Sequence, residues 1–192
     1  MDLIFIRHGQ GEHTLELSKS LQIADPFLTE HGRNQAEELK SALPISSSDL
    51  LVISPLRRTL QTASIWSDSI TCEKYVSPLV SPRTFPLLTE DRTLPCDQML
   101  SIDSIRKDFP HFQIHNTNDD LWKKGINCMP HKEFNSIAKN FLLWCKVIRK
   151  KKVFIVSHDG TITAYREILT KQKLTREDFL GETGWIRINV NL

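Results

Sequence analysis

The sequence lacks the features that mark membrane, secreted and nucleic-acid-binding proteins. No apolar run approaches the roughly 18–20 residues that a membrane helix needs. The early apolar run, LIFI at 3–6, is far shorter than the core of a signal peptide. The formal net charge is only +2, and the single basic run, IRKKK at 148–152, is interpreted as a solvated helix end. We therefore predict a cytoplasmic protein that binds neither membranes nor nucleic acid.

Cysteine is sparse, and its spacing argues against metal-binding and redox motifs. No C-x-x-C pair occurs, so a zinc knuckle or a thioredoxin-like motif is not expected. Free thiols in a reducing compartment are the simplest interpretation. The four cysteines are Cys72, Cys96, Cys128 and Cys145.

Short apolar runs alternate with amphipathic segments along the 192 residues. Buried strands are predicted at 3–6, 49–54, 75–80, 153–157 and 185–190, and helices at 29–43, 55–66, 131–148 and 161–169. This alternation is typical of an α/β protein with a mainly parallel central sheet. We predict one domain over 1–192, in which the proline-rich, irregular segment 81–130 caps a pocket.

Charged and titratable residues follow three of the predicted strands, in FIRHG, VISPLRR and FIVSHDG. Ligands of open parallel sheets bind beyond the carboxyl ends of the strands. If the three strands are neighbours, Arg7, His8, Arg58 and His158 meet in one crevice. Arginine donors match phosphate oxygens, and a neutral histidine nitrogen can accept a phosphoryl group covalently. The cluster therefore predicts phosphoryl transfer without a metal or any other cofactor, with a carboxylic acid as proton donor.

Four blocks in order, RHG, LTEHGRNQAEEL, SPLRRTLQTA and VSHDGTI, resemble the histidine phosphatase superfamily, which includes the phosphoglycerate mutases. The resemblance implies a three-layer α/β/α fold with a mostly parallel sheet and a phosphohistidine intermediate. His8 then resembles the nucleophile, and Arg7 and His158 resemble phosphate ligands. The family pattern Ser-x-Leu-x-Arg places a second arginine clamp at Arg58, which leaves Arg57 at a variable position.

The chain departs from the family pattern in the loop that follows the nucleophile. Where this chain has Gly11 and Thr14, the family usually has threonine and asparagine. Gln10 and Gly11 remain candidate phosphate contacts, and His13 is a candidate substitute for the missing ones or a solvent-facing loop residue. Asp159 replaces the second glycine of the usual SHGG, where it could orient His158 or cap the following helix.

The proton donor is predicted from a shorter match. The family places its carboxylate in a Leu-x-Glu stretch shortly after the third strand, and Glu90 in LLTE fits best. Asp97 is the alternate, although it could merely be the N-cap of a helix.

The predicted function is the metal-independent hydrolysis of a small phosphorylated metabolite. The oligomeric state and the identity of that phosphomonoester are not predicted. Three alternatives remain: a mutase-type phosphotransferase, a non-catalytic module that binds phosphorylated ligands, and a metallohydrolase that uses His8, His13 and His158. The last lacks acidic ligands at regular spacing.

Overall fold

The structure, a computed structural model, describes residues 1–87 and 92–190 and is built around one six-stranded sheet. The strands are β1 (Asp2–Arg7), β2 (Leu50–Ile53), β3 (Glu73–Val76), β4 (Gln113–Ile114), β5 (Lys152–Ser157) and β6 (Trp185–Asn189). Their spatial order is β4-β3-β2-β5-β1-β6, and all neighbours are parallel except β6, which runs antiparallel to β1. The predicted mostly parallel sheet is therefore confirmed.

Helices cover both faces of the sheet, because successive residues of its central strands point to opposite sides. Leu3 and Phe5 of β1 belong to one apolar cluster, with the inner faces of α6 and α7, and Ile4 and Ile6 belong to the other, with α2, α3 and α4. The three-layer prediction is confirmed. The helices are α1 (Leu17–Ser20), α2 (Glu30–Ala42), α3 (Arg57–Trp66), α4 (Ile102–Asp108), α5 (Asp119–Lys124), α6 (His131–Val147) and α7 (Asp159–Thr170).

Several element boundaries differ from those predicted. The third strand ends at Val76, because the Ser77 hydroxyl accepts from the amide of Leu79 and starts a 3-10 turn at Pro78–Val80. The third helix begins at Arg57 rather than at Pro55, since the Leu56 amide donates to Ser54 O across a tight turn.

The segment 81–130 is less irregular than its sequence indicates. It contains α4 and α5, and it also supplies β4, which pairs with β3 at the edge of the sheet. Its role as a cap stays a prediction. None of the helices in the described residues is long and apolar enough to cross a bilayer.

Candidate active site

The carboxyl ends of β1, β5 and β2 lie side by side, as the strand order requires. Arg7 is in register with Ser157, and Ile53 is in register with Val156. The residues after these strand ends line a cavity of about 340 Å³. Its lining includes Arg7, His8, His13, Arg58, Asp97 and His158. The structure thus brings the four residues of the predicted crevice into one place.

The hydrogen bonds of His8 specify one neutral tautomer. Its Nδ1 lies 2.7 Å from the carbonyl oxygen of Gly9, which can only accept, so Nδ1 carries the proton. Its Nε2 accepts a hydrogen bond of 3.2 Å from Nε of Arg58. The ring is 2 % exposed. The lone pair of Nε2 therefore faces the cavity side of the ring, where Arg58 lies.

His158 is oriented by two fixed partners. Its Nδ1 accepts from Nη2 of Arg58 at 3.2 Å, so the proton lies on Nε2, which donates to Oγ of Ser54 at 2.8 Å. The rings of His158 and His8 are 5.1 Å apart between centroids. Ser54 is a site residue that the sequence analysis interpreted only as the end of a strand and the cap of the following helix. Its position at the end of β2 was the available signal.

The two consecutive arginines at the start of α3 point in different directions. Arg58 is buried and points into the cavity, where its Nη1 donates to the carbonyl of Cys96 at 2.6 Å. Arg57 points outward and forms ion pairs with Asp25 at 2.6 Å and Asp108 at 2.9 Å. The geometry therefore places Arg58 in the cavity and Arg57 outside it.

Arg7 spans the other side of the cavity. Its Nη1 donates to the carbonyl of Leu180 at 2.7 Å, and its Nη2 lies 3.3 Å from Oδ2 of Asp159. Asp159 is the first residue of α7, and its Oδ1 accepts from the amide of Gly160. The carboxylate thus contacts Arg7 and a helix amide, whereas the predicted contact with His158 is not formed.

The loop after His8 packs tightly against the first turn of α2. A Cβ at Gly32 would lie 2.1 Å from the carbonyl oxygen of Gln10, so this close approach requires glycine. Oε1 of Gln10 accepts from the hydroxyl of Thr29, which directs this side chain toward α2 rather than the cavity. His13 is buried against Gly11, with its ring centroid 5.4 Å from that of His8. A solvent-facing position for His13 is therefore wrong.

Of the two predicted proton donors, Asp97 lies in the cavity and Glu90 lies outside the described residues. Asp97 ends a 3-10 turn, Pro95–Asp97, and is not an N-cap. Its Oδ1 accepts from Arg58 at 2.9 Å and its Oδ2 from Asn127 at 3.3 Å. Arg58 and Arg7 each have one carboxylate partner in the cavity, Asp97 for Arg58 and Asp159 for Arg7.

Burial and the two arginines keep three imidazoles neutral. Loss of solvation lowers the pKa of His8 and of His158 well below the usual value, and the positive charge of Arg58 lowers both further. The same causes lower the pKa of His13 to about 3. A neutral His8 keeps the lone pair that a nucleophile needs.

These lowered pKa values predict that the protein loses stability in mild acid. Below about pH 6.5 the unfolded chain binds protons at His8, His13 and His158 while the folded chain does not, so the free energy of unfolding falls as pH falls. The expected slope between pH 6 and 5 approaches about 1.4 kcal/mol per pH unit for each histidine. Urea unfolding at several pH values measures it. A His158→Asn variant should show a shallower slope, and equal slopes would contradict the interpretation.

A second group of cavity residues was missed because its members come from segments without periodicity. Thr84, Phe85, Arg176 and Phe179 line the cavity, and the rings of Phe85 and Phe179 lie 6.2 Å apart between centroids. The guanidinium of Arg176 lies 5.8 Å from the Phe179 ring centroid. Only tertiary packing brings these residues to the rim.

No metal site is formed by the cavity or elsewhere in residues 1–87 and 92–190, where no three His, Cys, Asp or Glu side chains are grouped as metal ligands would be. The described residues thus supply no ligand set for the metallohydrolase alternative.

Comparisons with known proteins bear on the family and the fold of the chain. A phosphoglycerate mutase-like protein of Arabidopsis thaliana is 28% identical over 82% of this chain and 68% of its own length. A Schizosaccharomyces pombe protein named as a probable phosphatase is 28% identical over 86% of this chain and 77% of its own. The crystal structure of an alpha-ribazole phosphatase from Shigella flexneri shares the fold, with a TM-score of 0.62 at 18% identity over 100% of this chain and 91% of its own. The family model of the histidine phosphatase superfamily, branch 1, matches residues 3–189, and the chain belongs to that family.

Proposed function

We propose that the protein is a phosphatase that hydrolyses a small phosphomonoester through a phosphohistidine on His8, without a metal. The observation that carries the proposal is the tautomer of His8. Its proton is held by Gly9 O, and its Nε2 faces a cavity that contains the guanidinium groups of Arg7 and Arg58. A nucleophile and the cations that neutralise an incoming phosphate thus share one cavity.

The proposed first step forms a bond between Nε2 of His8 and phosphorus and breaks the bond between phosphorus and the leaving oxygen. Charge on the three equatorial oxygens is stabilised by the guanidinium groups of Arg7 and Arg58, and His158 positions Arg58 by accepting from its Nη2. The N-terminus of α7 also lies at the cavity, because this helix starts just after the carboxyl end of β5. The partial positive charge of a helix N-terminus favours a bound anion. Water then attacks the phosphohistidine and releases inorganic phosphate and neutral His8.

The leaving oxygen needs a proton, and we propose Asp97 as its donor. Among the described residues, Asp97 has its carboxylate in the cavity within hydrogen-bond distance of Arg58. In the first step, Asp97 would donate a proton to the leaving oxygen. In the second step, the same carboxylate would accept the proton of the attacking water.

Substrates with different leaving groups distinguish Asp97 from Glu90 as the proton donor. We expect Asp97→Asn to slow hydrolysis of an alkyl phosphate by about 10²–10⁴-fold, the usual range for general acid catalysis. Phosphorylation of His8 by p-nitrophenyl phosphate should stay nearly intact, because nitrophenolate leaves without a proton. Rapid-quench kinetics with both substrates measures the difference. If Glu90→Gln shows this leaving-group dependence and Asp97→Asn does not, the donor is Glu90.

The proposal is tested by incubating the purified protein with a panel of metabolite phosphates in the presence of a chelator. Release of inorganic phosphate supports hydrolysis, and loss of activity with the chelator would favour a metal-dependent reaction. Transfer to a second hydroxyl without phosphate release would instead show a mutase. Phosphate binding without turnover would show a non-catalytic module. The cytoplasmic location and the small-metabolite substrate stay predictions of this proposal.

A further inference from the structure

His13 is a buried polar residue in the cavity for which the proposed reaction has so far assigned no role. Its side chain lines the cavity and is 9 % exposed as a residue. Its Nδ1 is buried and has no hydrogen-bond partner among residues 1–87 and 92–190. A buried nitrogen without a partner costs free energy, so a ring held in this position beside the nucleophile calls for a compensating contact, which its other nitrogen, Nε2, can make.

The loop around His13 is held in place by several hydrogen bonds. The Ser20 hydroxyl donates to the His13 carbonyl at 2.9 Å, and the Thr14 hydroxyl donates to Gly11 O at 2.9 Å. Gly11 also forms an antiparallel bridge with Leu28. The imidazole is therefore positioned by a braced backbone and not by a mobile loop.

The ring of His13 occupies the space that a side chain at Gly11 would fill. A Cβ at position 11 would lie 2.6 Å from Nδ1 of His13 and 2.8 Å from its Cε1. Both distances are shorter than van der Waals contact. The backbone φ of Gly11 is −110°, which any residue adopts. Glycine at this position is therefore required by the neighbouring ring and not by the backbone conformation.

The protonation state of the His13 ring is suited to binding an oxyanion. Because Nδ1 has no acceptor, the neutral ring keeps its proton on Nε2, which leaves one N–H free to donate. Burial and the charges of Arg58 and Arg7 disfavour the imidazolium in the free protein. A bound dianion would offset the charge of both arginines and strengthen the donation.

We propose that His13 binds the phosphoryl oxygens in place of a side chain at position 11. Glycine at position 11 leaves the space that the His13 ring occupies. The inference rests on the proposed function and deepens it. The phosphate site of this chain then has two imidazoles with direct roles, His8, which attacks phosphorus, and His13, which holds a phosphoryl oxygen.

The test measures affinity for inorganic phosphate by calorimetry and kcat/KM for p-nitrophenyl phosphate. His13→Ala should weaken phosphate binding and lower kcat/KM by about 10–100-fold, the range for a hydrogen bond to a charged group. His13→Gln, which keeps an N–H donor, should recover part of the loss. The exposed His131, replaced by alanine, is the matched control and should change neither value.

A double-mutant cycle separates the proposal from a general loss of folding. Gly11→Ala should reproduce most of the His13→Ala effect by displacing the ring, yet should add almost nothing in the His13→Ala background. Wild-type affinity for phosphate in His13→Ala, or additive effects of the two changes, would overturn the inference. If no phosphomonoester is hydrolysed but phosphate affinity still depends on His13, the proposed hydrolysis fails and the phosphate contact stands.

Discussion

Replacing His8 with alanine is expected to lower kcat by about 10⁴–10⁶-fold, the usual cost of removing a covalent nucleophile. In the proposed mechanism, the lone pair on Nε2 of His8, which accepts a hydrogen bond from Arg58, attacks phosphorus. Wild-type protein incubated with radiolabelled substrate and quenched in alkali should carry phosphate that is stable in base and lost in acid. The His8→Ala protein should carry none.

The exposed His111 provides a matched control for this experiment. His111→Ala removes an imidazole outside the cavity and should retain both label and activity. Full activity in His8→Ala, or label on another residue of the wild-type protein, would contradict the phosphohistidine mechanism.

The second large effect is expected to distinguish two neighbouring arginines. Arg58→Ala should lower kcat/KM by about 10²–10³-fold or more, because a buried cation that stabilises transition-state charge is lost. Arg58 also contacts both His8 and His158, so its removal takes away one of the two hydrogen-bond partners of each ring. Arg58→Lys should recover little, since one ammonium group cannot replace a planar guanidinium that donates to four partners.

Arg57→Ala is the control, one residue away on the same helix. Its ion pairs with Asp25 and Asp108 lie at the partly exposed surface, so we expect a stability loss of about 0–1 kcal/mol for each pair and less than a fivefold change in kcat/KM. Thermal unfolding and steady-state kinetics of the two variants measure the contrast. Equal losses of kcat/KM in Arg57→Ala and Arg58→Ala would contradict the assignment of the phosphate contact to Arg58 rather than Arg57.

The sequence predicts the sheet and the crevice well because both depend on local patterns. Short buried runs followed by Arg7, His8 and His158 are visible without tertiary information, and parallel strands place their carboxyl ends together. The start of α3 was misplaced because Ser54 before Pro55 resembles a capping signal. In the structure that serine instead holds His158.

Contacts between distant segments could not be predicted in the same way. The pairing of Asp97 with Arg58 depends on how an irregular segment folds back onto the sheet. The position of His13 depends on the space left by Gly11, which no periodicity encodes. Arg176 and Phe179 reach the cavity only because the chain after α7 returns to it.

The central position of β5 has a consequence for folding kinetics. This strand separates β2 from β1, and it pairs Arg7 with Ser157 and Leu50 with Val153, partners that are far apart in the chain. Closing such long loops makes a fold of high contact order, which forms slowly. Until β5 pairs with both β1 and β2, the carboxyl ends of those two strands are not held side by side. The cavity that they line is therefore not formed before that pairing. During synthesis, therefore, helices α2 and α3 emerge long before β5, the strand that completes the cavity.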